Sequence, residues 1–243
     1  MKAAVLLFFC ALTLAVSLGA AAPLLPLPGA APTHFDLRQA HPQCIPPVRE
    51  AGSCDDAGLI EGLYDMSVAS CIATGKPLDL SSAYVDACCT SCGSCGGASM
   101  SNIFGWLKNN GSVNATCLPR GPIKSCPAKC VDGSPVKPIR AQFLSVKEVA
   151  AIQHTISTVG PVLAYINAIP LETYMGGILK CSGVKPSLDH VVSIIGWGIE
   201  SSVPYWICTN SWGPDWGEEG YFRIERGVDA CGIEIINFAV QLL

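Results

Sequence analysis

Fourteen cysteines in 243 residues constrain most strongly what this chain can fold into. The first, Cys10, lies in a leader: Lys2, an apolar run over residues 3–18, then the small-residue stretch GAAAP. That is the pattern of a secretory signal peptide, residues 1–21, with cleavage expected between Gly19 and Ala22. A membrane anchor would need about 20 apolar residues to span a bilayer, and this run is shorter. Removing Cys10 with the leader leaves thirteen cysteines, an odd number. In an oxidising compartment that density reads as a disulfide framework with one thiol left over, in a secreted or endolysosomal or vacuolar protein. The spacings Cys89-Thr-Ser-Cys92 and Cys92-Gly-Ser-Cys95 could suit zinc, but no histidine lies near and secretion favours disulfides, so neither metal nor cofactor is expected.

The residues left after the leader can bury a substantial core as one large domain or two fused lobes. A formal net charge of -4 without a basic cluster leaves nucleic acid and anionic membranes nothing to hold. No stretch beyond the leader could span a membrane. The sequons beginning at Asn110 and Asn114 mark expected glycosylation in a surface loop.

Residues 22–33 are Pro-rich and too short to fold alone. From 55 to 73 the spacing predicts a helix, with Ser53 or Asp55 as cap and Leu59, Ile60, Leu63, Met66 and Val68 as one apolar face. A second helix is predicted over 98–108, ended by NNG, and a third in SVKEVAAIQHTISTVG. Residues 88–133, rich in Cys, Gly and Pro, read as a stapled loop region. Strand-like runs follow at 161–166, 191–197, 204–209, 220–224 and 233–243. A helical, crosslinked first half and a β-rich second half predict an α+β architecture in two lobes, about 45–132 and 136–230.

Three segments then carry a specific resemblance. PPVREAGSCDDAG is similar to the nucleophile turn of papain-like cysteine proteases, LDHVVSIIGWG to their histidine strand, and YWICTNSWGPDWGEEGYFRIERG to their asparagine strand. His190 and Asn210 fall at the downstream spacing of the family's local signature. The chain is identified as a member of that family over residues 34–243. CCTSCGSCGG and SCPAKC resemble the cathepsin B branch in particular. The resemblance implies a two-lobed fold with a cleft between a helical, disulfide-rich lobe and a β-barrel-like lobe. It also implies the pairs Cys44–Cys71, Cys54–Cys95, Cys88–Cys126, Cys89–Cys92, Cys117–Cys130 and, as in cathepsin L relatives, Cys181–Cys231. Cys208 is then the thiol left over, a small buried hydrophobe.

By the same resemblance His190 takes the general-base position, Asn210 orients it and Trp212 shields their contact. A thiol protease also needs a thiolate at a helix N-terminus and donors for the oxyanion. Counting without a gap from Arg49, Cys54 matches the disulfide cysteine of the family's C-G-S-C-W motif, and Ala57 stands where the attacking sulfur belongs. Ala51 replaces the oxyanion-hole glutamine, and Gly58 replaces the tryptophan. Asp55 and Asp56 suit the first turn of a helix, and they would raise the cost of a thiolate beside them. Recruiting Cys54 instead would require a three-residue slip and would strip Cys95 of its partner. Gly96, Gly97 and Ala98 match the strand that pairs with a substrate backbone, and Ile236 falls at the floor of the pocket for the second substrate residue, implying an apolar pocket.

Two absences accompany these replacements. Only the short Pro-rich segment stands where the family carries an inhibitory propeptide. Only LPRGPIKS remains between Cys117 and Cys126, without the paired histidines of the cathepsin B occluding loop. The chain is therefore expected to be a monomeric pseudoprotease. Its expected partners are a peptide or protein in the cleft, cystatin-like inhibitors, or an active homologue. The alternatives are an active cysteine endopeptidase with an unrecognised nucleophile and a purely structural scaffold.

Overall fold

The computed structural model describes residues 31–51, 57–93, 99–119, 121, 123, 125–181 and 187–243. The leader, residues 22–30 of the Pro-rich segment, Ser53, Asp55, Asp56, the Cys54–Cys95 pair, and Gly96, Gly97 and Ala98 lie outside the described residues. Among those described, no helix is long and apolar enough to cross a membrane.

The chain enters along a two-residue strand β1 (Phe35–Asp36) and a single turn α1 (Leu37–Ala40), capped by the Asp36 carboxylate accepting from the Arg38 N–H. The dominant helix is α2 (Ala57–Thr74), followed by α3 (Ser82–Cys88) and α4 (Met100–Asn109). Next come β2 (Ala141–Val146), α5 (Val149–Thr158), β3 (Val162–Ile166), β4 (Ile178–Leu179), β5 (His190–Glu200), β6 (Val203–Thr209), β7 (Tyr221–Glu225) and β8 (Asn237–Leu242).

Helix α2 corrects the expectation of a single apolar face, because residues 57–71 are all buried. Its Tyr64 and Val68 pack into a cluster with Trp197, Trp206 and Phe222 of the sheet, while Leu59, Leu63, Met66 and Ala69 pack into a second with Val85, Ile103 and Leu107 of α3 and α4. A helix covered on every side serves two cores at once, so an apolar stripe is not required of it. Helix α3 escaped the sequence reading because seven residues hold too few turns to show a period. Its start is set by Ser81, whose hydroxyl accepts from the Tyr84 N–H at 3.3 Å.

The sheet runs β2-β8-β3-β5-β6-β7-β4, with β1 paired to β5. It reaches beyond residues 136–230 at both ends, because Phe35 pairs with Trp197, and β8 lies between β2 and β3. Its hydrogen-bonded path among the described residues is open rather than a closed ring. Strand β2 was not foreseen, and its register, Ala141 opposite Leu242, depends on a partner about a hundred residues away. Gly196 sits at a register shift in β5, where a Cβ would overlap the Phe35 carbonyl oxygen and lie 3.0 Å from the Asp36 Cα. Only glycine permits β1 to approach so closely.

Disulfides join Cys44 to Cys71, Cys88 to Cys126, Cys89 to Cys92, Cys117 to Cys130 and Cys181 to Cys231. Three of these staple the stretch from Cys88 to Cys130, whose Ile103 and Leu107 also pack into the second cluster, so crosslinks that limit its unfolded freedom act together with packing.

Candidate functional site

His190 opens β5, opposite Ile166 of β3, and is 7% exposed. The turn before it is held by Asp189, whose carboxylate accepts from the Ala168 N–H at 2.9 Å. Asn210 directly follows β6 and is 1% exposed; its N–H donates to the Gly220 carbonyl at 3.0 Å. Gly220 has φ +86° and lies against Val48, so the loop ahead of α2 packs on the residue that anchors Asn210.

The Asn210 Oδ1 lies 2.8 Å from His190 Nε2 and accepts from the Ser211 N–H at 2.8 Å. The Ser211 amide can only donate, so this atom is the oxygen, and an oxygen can bond the ring only if Nε2 carries hydrogen. Asn210 therefore fixes the histidine tautomer and its orientation. Trp212 stands over this contact, its ring centroid 5.1 Å from that of His190, and Trp216 meets Trp212 edge-on at 5.1 Å.

The loop leading into α2 is bound to the same segment. Ala51 donates its N–H to the Ser211 carbonyl at 2.8 Å, Gly213 donates to the Arg49 carbonyl at 3.1 Å, and Glu50 bridges Trp212. Buried Arg49 pairs with Asp79 and donates to the Leu80 carbonyl at 3.3 Å, fixing the loop from the helical side. Residues 49–51, ahead of α2, and residues 210–213 are thus brought together although about 160 apart in sequence. Ala57, 6% exposed, is the first described residue of α2.

Gly58 is explained by a neighbour the sequence did not reveal. A Cβ placed there would overlap the Sδ of Met100 on α4 and lie 3.3 Å from its Cε, so the thioether fills the space a side chain at position 58 would enter. Gly58→Trp is expected to destabilise the fold by about 1–3 kcal/mol through overpacking, and a Gly58→Trp/Met100→Ala pair to recover most of that loss, as measured by urea unfolding.

Cys208 is the free cysteine among the described residues; it is fully buried between Ile194 of β5 and Phe222 of β7. Burial, with the Glu61 carboxyl nearby, pushes its thiol well above the usual range. Ile236 is 39% exposed beside Ile235 at 44%. Sequence reasoning also missed two acids within α2, Glu61 and Asp65, 2% and 0% exposed. Their signal was present: two carboxyls four residues apart inside the apolar run LIEGLYDMSV.

A buried histidine held by an asparagine amide and shielded by an indole, with the loop ahead of α2 bonded to the same segment, is the positioning half of a thiol-protease site. The papain family cysteine protease profile matches residues 31–240, and the chain belongs to that family. Relatives include cathepsin B-like CP2 of Giardia intestinalis, 33% identical over 219 residues that cover 84% of this chain and 72% of the relative. Cathepsin B-like cysteine proteinase 6 of Caenorhabditis elegans is 34% identical over 244 residues, covering 84% of this chain and 64% of that protein. Among solved structures, procathepsin B S9 from Trypanosoma congolense superposes with a TM-score of 0.75 at 25% identity, covering 88% of this chain and 79% of the other.

Proposed function

We propose that this cathepsin-like protein is a secreted or endolysosomal pseudoprotease that keeps the papain fold and a peptide-holding cleft without the hydrolytic step. One observation carries the reading: the residue at the head of α2 is Ala57, while Cys208, the described cysteine outside a disulfide, is sealed in the core. Peptide hydrolysis by this family's chemistry needs a thiolate that can reach a carbonyl carbon, and a methyl group has no lone pair to offer. A thiol in an apolar interior is neither ionised nor accessible. The His190–Asn210 pair would then orient or hydrogen-bond a bound chain instead of moving a thiol proton. The occupants that fit are an extended peptide, which needs only main-chain donors and acceptors from the cleft, or a cystatin-like inhibitor drawn away from an active homologue.

Incubation with an epoxide inhibitor of cysteine proteases, followed by mass spectrometry, tests this directly. No adduct is expected on any cysteine, and labelling of any cysteine would revive the active-enzyme reading. Titration with a cystatin or an extended peptide should give binding at micromolar concentration or better. Its absence would favour a scaffold with a closed cleft.

A further inference from the structure

Ala57, Glu61 and Asp65 are spaced four apart and so form one stripe of α2, descending from the vacant nucleophile position into the contact between helix and sheet. Glu61 Oε2 accepts from the Ser193 hydroxyl of β5 at 2.7 Å. That hydroxyl has a single proton, and both Asp65 carboxyl oxygens are buried without a hydrogen-bond partner. Arg49 contributes a favourable field at Glu61 and donates hydrogen bonds to Asp79 and to the carbonyls of Ile60 and Leu80. Tyr64 on α2, Tyr221 on β7 and Cys208 on β6 are the other titratable groups that feel Glu61, and Arg38 of α1 acts on both tyrosines. His190 of β5 is bonded to Asn210, Tyr165 of β3 packs on Phe238, β8 holds no titratable side chain, and Asp86 of α3 and Lys108 of α4 are exposed. Two carboxylates cannot both ionise in such a setting without several kcal/mol of desolvation and repulsion, so the packed state holds them neutral.

We propose that Glu61 and Asp65 act as a proton-held latch between α2 and the sheet, closed while both carboxyls carry protons and released as the surroundings turn neutral to alkaline. Burial pushes Glu61 up to about 8 against the lowering pull of Ser193 and Arg49, and burial, opposed by the nearby Ser193 hydroxyl and reinforced by Glu61, pushes Asp65 well above the carboxylate range. Because the folded state binds these protons more tightly than the unfolded chain, their contribution is complete below the unfolded carboxylate range, near pH 4. It is lost as pH rises, for Glu61 until about pH 8. The latch does not depend on whether the cleft binds peptides.

Unfolding of the full chain in urea between pH 5 and 8.5 tests it, comparing wild type with Glu61→Gln, Asp65→Asn and the double variant. The wild-type folding constant should fall about tenfold per pH unit for each carboxyl that is neutral folded and ionised unfolded. Glu61→Gln can still accept from Ser193, so it should remove one such step, and the double variant should give the flattest profile. Parallel profiles for wild type and the double variant would overturn the proposal. Should the variants fail to fold, proton counting on the wild type decides: at pH 6.5 the native protein should bind about one to two protons more than the urea-unfolded chain. Equal binding would overturn the proposal as well.

Discussion

Ala57→Cys combined with Ala51→Gln should yield a slow peptidase. The positioning half of the machinery is already built: Asn210 holds His190 with Nε2 protonated, and the Ala51 amide is tied to the Ser211 carbonyl. A cysteine at the head of α2 would gain from the helix dipole, which favours the thiolate. Ala57→Cys alone should therefore give measurable but very low turnover. Adding Gln at position 51 should raise kcat on the order of 10²–10³-fold by supplying an oxyanion donor. Activity should stay well below that of an intact enzyme, because Gly58 and Met100 leave no room for the tryptophan that would rest beside the thiol. A fluorogenic peptide assay with epoxide labelling of Cys at position 57 checks this. A folded double variant that neither labels nor turns over would mean that the His190 ring is no longer placed to take a thiol proton.

Trp206→Ala should be the most damaging single truncation in the sheet. Trp206 is fully buried, lies between Trp197 of β5 and Ile224 of β7, and donates its indole N–H to the Glu234 carboxylate at 2.8 Å. The Arg226 guanidinium lies 5.4 Å from the ring centroid. Removing the ring leaves a cavity under three strands and strips Glu234 of one donor, a loss of about 3–5 kcal/mol. Trp206→Phe keeps an aromatic ring but loses the hydrogen bond, and should cost less. Urea midpoints give both values, and a Trp206→Ala loss under ~1 kcal/mol would show that the surrounding core collapses into the space.

Much of this molecule is legible along the chain because its signals are local. The predicted helix over 55–73 corresponds to α2, and the runs at 161–166, 191–197 and 204–209 match β3, β5 and β6 within a few residues. Period-two alternation gives way to continuous apolar runs in strands buried on both faces, and such runs remain readable. Strand β2 was not readable, since AQFLSV becomes a strand only by pairing with β8, and neither was the short helix α3. At the site, His190, Asn210 and Trp212 were found through motifs whose residues are neighbours in sequence. Met100 beside Gly58 and Ser193 beneath Glu61 were not, because each contact joins separate elements.

The order of residues alone determined the family and which side chains stand at positions 57, 190, 208 and 210, since these depend only on what occupies each place along the chain. The three-dimensional packing decided that α2 is enclosed on all sides, that Cys208 is sealed and that two acids of α2 lie out of water. Burial is a property of what surrounds a residue, and those surroundings are assembled from chain segments that no local pattern brings together.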